Sequence, residues 1–112
     1  MKVIGRSSPF GGIVRTRLLA AVQLLGSSYA RELARLLDTP VSGVQQALKG
    51  LEADGLVVGR LVGRTRVVEI NPRYFARREL LAYLARLAEV DAPLQDAVTA
   101  LRRRPRRPGK PL

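Results

Sequence analysis

Apolar residues return at helical spacing in several stretches of the chain, and in the middle the pattern changes to that of strands. From about Gly12, the positions Val14, Leu18, Val22 and Leu25, flanked by Leu19 and Ala21, mark a first helix. Gly26 closes it as a C-cap glycine would. Ser27 and Ser28 offer hydroxyls to the next helix, with Ser28 the expected N-cap. That second helix, over 29–37, turns Leu33, Ala34 and Leu37 inward. Asp38 then takes a turn that wants a left-handed backbone, which Asp tolerates better than most residues. Thr39 and Pro40 read as N-cap and first residue of a third helix. There Val44, Leu48 and Leu51 line the core face, with Ala47 beside them. Ser42, Gln45, Gln46 and Lys49 form a polar stripe opposite.

Gly55 ends the third helix, and residues 56–62 and 64–70 are rich in strand formers joined through Gly63. Their register is not fixed by sequence. Arg60, Arg64 and Arg66 are expected to cluster at that turn, and Asn71-Pro72 ends the second strand. A longer helix follows over about 73–90. Leu80, Leu84 and Leu87 make one stripe, Leu81, Ala85 and Ala88 a neighbouring one, with Tyr83 alongside. This apolar sector is wider than a surface helix needs. It implies two partners, the chain's own domain and a second subunit, and places Leu80, Leu81, Leu84 and Leu87 at a dimer interface. Pro93 interrupts, then Leu94, Ala97, Val98 and Leu101 repeat the helical pattern. The expected organisation is a domain over 1–90, a short amphipathic helix over 91–101 and a basic, disordered tail over 102–112. The fold class is mainly α with a small β-hairpin.

Charge sharpens this picture. The chain has 112 residues and a net charge of +11, unevenly spread. Residues 1–101 hold 14 Lys/Arg against all nine acidic residues, a balance of +5, and the last eleven, RRRPRRPGKPL, add six cations. Such a balance suits a polyanion, whether nucleic acid or an acidic membrane surface. Six tail cations on phosphates would steepen a salt dependence by about 5 logarithmic units. No apolar run is long enough to span a bilayer, and the N-terminus lacks a signal-peptide core, so the expected compartment is the cytoplasm. There is no cysteine and no histidine. Disulfides, Cys- or His-ligated metal and Cys–His or Ser–His catalysis are excluded. Neither a cofactor nor an enzymatic activity is expected.

The stripe Ser42, Gln45, Gln46 and Lys49 carries the chemistry of base reading. Gln pairs with adenine N6/N7, Lys donates to guanine O6/N7 and Ser serves either. Standing alone, such a stripe is more often a solvated helix face. Tyr29, Tyr74, Phe75 and Tyr83 read as core or interface anchors, because they are not interleaved with basic residues as a stacking platform requires.

Residues 29–71, YARELARLLDTPVSGVQQALKGLEADGLVVGRLVGRTRVVEIN, resemble a winged helix-turn-helix DNA-binding domain. The segment is similar to bacterial and archaeal regulators of the ArsR and MarR families. It is also similar to winged-helix regulators encoded beside small nucleotidyltransferases, which share its Ala30–Ala34, Val44-Gln45, Leu51-Glu52 and Gly55–Val57 elements. The resemblance spans about residues 12–90. It implies a homodimeric, sequence-specific regulator of transcription that binds double-stranded DNA, most simply a repressor. It assigns Ser42, Gln45, Gln46 and Lys49 to the recognition helix and Arg60, Arg64 and Arg66 to the wing. Arg31 and Arg35, with Arg15 and Arg17, would flank the phosphate backbone. Many ArsR relatives sense metals through Cys or His; this chain has neither, and any effector site is not visible in its sequence. Two other readings stand beside this one. One is an architectural, nucleoid-type protein with little sequence preference; the other is a winged-helix module for protein assembly.

Overall fold

The computed structural model describes residues 9–103. Along the chain run α1 (Ile13–Leu25), β1 (Ser27–Tyr29), α2 (Ala30–Leu36), α3 (Val41–Ala53), β2 (Val57–Val62), β3 (Thr65–Ile70), α4 (Arg77–Glu89) and α5 (Ala92–Arg103). The described chain is mainly helical, with one small antiparallel sheet in the order β1-β3-β2. This arrangement is compatible with a winged helix. The bulk of the basic tail, 104–112, lies outside the described residues, as do 1–8.

Helix α1 is the hub. Leu18, Leu19, Ala20, Ala21 and Val22 are fully buried in succession, so the helix is covered on every side through its middle. Around it gather Leu33 of α2, Val44 and Leu51 of α3, Val57 and Val68 of the sheet, and Leu84 of α4. Leu94 and Val98 of α5 join the same cluster, so α5 is part of one packed unit rather than an appendage. Gly26 ends α1 with φ +84°, a conformation that costs glycine least, and its N–H bonds the Val22 carbonyl at 2.8 Å. No basic residue stands in the last turn of α1. Arg102 of α5 supplies one, donating to the Leu24 carbonyl at 3.1 Å where the helix dipole is negative.

The ends of α2 and α3 are built alike. After α2, Thr39 N–H returns to Ala34 O at 2.9 Å and Asp38 N–H to Arg35 O at 3.3 Å, with Asp38 at φ 50°. After α3, Leu56 N–H reaches Leu51 O and Gly55 N–H reaches Glu52 O, both at 3.0 Å. Both are Schellman closures, and Asp38 takes the left-handed position as its sequence place implies. Asn71 then ties the sheet to the end of α3, its side chain donating to Gly55 O at 2.9 Å.

Several expectations need correction. Ser28 does not cap α2. It lies in β1, paired with Val68, and its hydroxyl donates to Glu32 Oε1 at 2.6 Å. The helix starts at Ala30, and the hairpin gains a third strand. Pro40, not Thr39, occupies the N-cap of α3, and the Thr39 hydroxyl donates to Leu37 O instead. Helix α4 begins at Arg77 rather than near 73. Asp91 begins α5, accepting from Leu94 N–H at 3.1 Å, with Pro93 inside the first turn, where its missing N–H is harmless. Arg102 and Arg103, assigned to the tail, are the last turn of α5.

The dimer assignment changes too. Leu80, Leu84 and Leu87 are buried within the single chain, against α1, and Leu81 is half-buried against the same core. The wide apolar sector of α4 is filled by its own domain and by α5. Among the aromatics, Phe75 is 92% exposed beside Tyr74, so it anchors no core, and it sits between Arg73 and Arg77 in sequence. Tyr83 stays exposed, its ring centroid 5.8 Å from that of Phe10.

Candidate nucleic-acid interface

Helix α3 divides cleanly into two faces. Val44, Leu48 and Leu51 are buried, whereas Ser42, Gln45, Gln46 and Lys49 are all exposed, their side chains making no hydrogen bond or ion pair to other described residues. The four polar side chains line a groove of about 590 Å³ together with Leu48 and Glu52 of α3, Arg66 and Val68 of β3 and Ala30. The sequence-predicted stripe and the hairpin therefore face one another across a single concavity.

The hairpin register explains where each arginine goes. Val57 pairs with Ile70, Gly59 with Val68 and Leu61 with Arg66, so these pairs share one face, and the buried Val57, Val68 and Ile70 identify it as the inner one. Arg60 pairs with Val67 and falls on the outer face, where its Nε lies 3.9 Å from the Glu69 carboxylate. Arg64 sits at the turn, exposed, with no ion pair among the described residues. Arg66 points inward and pairs with Glu52. The three arginines thus do not cluster: one is outside, one at the tip, one folded against α3. Glu52 continues the stripe one turn beyond Lys49, a place the helical spacing alone marks out. Its carboxylate raises the Arg66 guanidinium above its usual pKa, first through their hydrogen bond and then through its charge. At the tip, Leu61 is 71% and Val62 50% exposed, so apolar surface stands beside Arg64.

Near the start of α3, Arg31 and Arg35 lie one helical turn apart on α2, both exposed and neither in an ion pair among the described residues. They line an open pocket of about 610 Å³ over the turn into α3, bounded by Asp38, Thr39, Pro40 and Val41. Arg15 and Arg17 behave differently. Arg15 crosses over Gly50 of α3 and bonds Asp54 at 3.1 Å, while Arg17 is held by Asp91. Both tie helices together, and neither is free to flank a phosphate.

Among the described residues no group of three or more acidic, Cys or His side chains is placed to hold a metal ion. No helix there is long and apolar enough to cross a membrane. No family model matches this chain, and no curated protein matches its sequence.

Proposed function

We propose that this protein is a winged helix-turn-helix regulator that binds double-stranded DNA as a homodimer and represses transcription by occupying its site. In this reading α3 is the recognition helix and the β2–β3 hairpin the wing. One observation carries it: Ser42, Gln45, Gln46 and Lys49 stand exposed in a row on α3, opposite its buried face and beside the hairpin groove. Three of the four are uncharged hydrogen-bonding side chains, the kind that discriminates bases rather than merely attracting phosphate. Arg31 and Arg35 near the start of α3 and Arg64 at the hairpin tip add cations without ion pairs among the described residues, suited to phosphate contacts around the row. A second subunit would double the site, and the exposed Tyr83 side of α4 is the surface left for it.

The test is to incubate the purified protein with sheared genomic DNA near physiological salt and to sequence what it retains, beside a Gln45→Ala/Gln46→Ala variant. A pseudo-palindrome with half-sites about one helical turn apart, lost in the variant, supports the reading. Retention without a shared motif, unchanged in the variant, overturns it in favour of an architectural protein held by its arginines. If no DNA is retained, the arginines face an acidic protein partner instead.

A further inference from the structure

We infer that Arg66 is a positioning residue rather than a phosphate ligand: it neutralises Glu52 on the base-reading side of α3 and pins the hairpin to that helix. The inference rests on the DNA-binding reading above and concerns the same groove. Glu52 lies one turn beyond Lys49 and two beyond Gln45, so an unpaired carboxylate there would repel the very backbone the groove is meant to admit. Arg66 cancels it with a forked contact. Nη2 bonds Oε1 and Nε donates to Oε2 at 3.4 Å. Planar guanidinium and planar carboxylate match in this way, where a lysine would offer only a point charge.

The sheet is built to allow the contact. Arg66 must cross the inner face of β2 to reach α3, and the residue it crosses is Gly59. A Cβ at that position would come within 2.8 Å of the guanidinium carbon and of two of its nitrogens. Glycine is otherwise a poor strand residue, and its presence in mid-strand marks a close approach. Two features separated in sequence, a missing side chain on β2 and a carboxylate on α3, therefore serve one arginine on β3. Two of its five donors are spent on Glu52 and the adjoining carboxylate offsets its charge, so Arg66, although exposed, brings no net cation to a phosphate. Lys49 becomes the net charge of the groove.

The experiment uses the full chain, its Arg66→Ala, Glu52→Gln and Glu52→Gln/Arg66→Ala variants, and a short mixed-sequence DNA duplex across a salt series. Arg66→Ala is expected to weaken binding about tenfold, Glu52→Gln to leave it no weaker and to tighten it where the freed Arg66 reaches DNA, and the double variant to recover most of the loss with the wild-type salt slope. If Arg66 instead grips phosphate, its removal lowers the slope by about 0.9 and Glu52→Gln brings no rescue, which overturns the inference while leaving DNA binding intact. Hydrogen exchange of the β2–β3 amides without DNA provides a separate reading of the pair. Equal, non-additive loss of protection in the two single variants supports it, and additive loss overturns it. A wild-type chain that binds no duplex removes the DNA reading itself, and with it the electrostatic role.

Discussion

Arg17 on α1 grips both carboxylate oxygens of Asp91, Nε at 2.7 Å from Oδ2 and Nη2 at 3.2 Å from Oδ1. Asp91 is buried, and the same Oδ1 accepts from Leu94 N–H, so one side chain closes an ion pair and caps α5. Asp91→Ala removes the cap and leaves a half-buried guanidinium without its partner. It is expected to lower stability by about 2–4 kcal/mol; Arg17→Ala keeps the cap but leaves the more deeply buried carboxylate unpaired, and a loss of similar size is expected. Urea unfolding followed by circular dichroism gives both values; a loss below about 1 kcal/mol in both would mean that the pair and the cap hold α5 only weakly.

Leu84 is fully buried where α4 meets α1, and truncating it leaves a cavity at the centre of the chain. Leu84→Ala is expected to cost about 2–5 kcal/mol. Tyr83→Ala, one residue away but exposed, should cost much less. Chemical denaturation of the two variants separates a helix face committed to its own domain from one held open for a partner.

Asp38 adopts φ 50° in the turn between α2 and α3. Asp38→Gly relieves the backbone and is expected to be neutral or to stabilise by up to about 1 kcal/mol. Asp38→Val places a branched side chain in a forbidden region and should destabilise by more than that. The glycine variant also removes the carboxylate beside Arg31 and Arg35, so its affinity for duplex DNA should rise, measurable by fluorescence anisotropy.

Arg31→Ala and Arg35→Ala each remove one exposed cation without breaking an ion pair among the described residues. On the proposed function, each should weaken binding to all duplexes alike and reduce the salt slope by about 0.9. Gln45→Ala should instead flatten the preference among sequences and leave the slope unchanged. Binding measured across a salt series, on a preferred and a scrambled duplex, tells position from readout.

Gly59→Ala tests the close approach directly. The added methyl meets the far end of a flexible side chain, so the fold should survive with a loss below about 1 kcal/mol. The guanidinium must move, however, and the hairpin amides should exchange as fast as in Arg66→Ala. Unchanged exchange would show that Arg66 has another route to Glu52.

Much of this architecture is legible along the chain because its signals are local. The stretch Val14–Leu25 with Gly26, the alternation of Val44, Leu48 and Leu51 with Gln45 and Lys49, and the Gly63 turn all read correctly. Asp38 does too, because only a few residue types tolerate its backbone. What escaped depends on partners far away in sequence. β1 is three residues long, too short to show a period, and becomes a strand only by pairing with Val67, Val68 and Glu69. The fate of Arg66 turns on strand register, which the sequence left open. The breadth of the apolar sector on α4 was read properly, but its second occupant, α5, sits on the same chain.

The unequal strands of the sheet have a mechanical consequence. β1 supports β3 only at Val67–Glu69, whereas β2 continues alongside it outward to Val62 and Thr65. The hairpin is thus a cantilever, three strands thick at its root and two at its free end. Beyond Val67 the ion pair of Arg66 with Glu52 ties that free end to α3. On the proposed function, a turn so lightly supported is expected to adjust to a groove of varying width while its three-stranded root stays with the core.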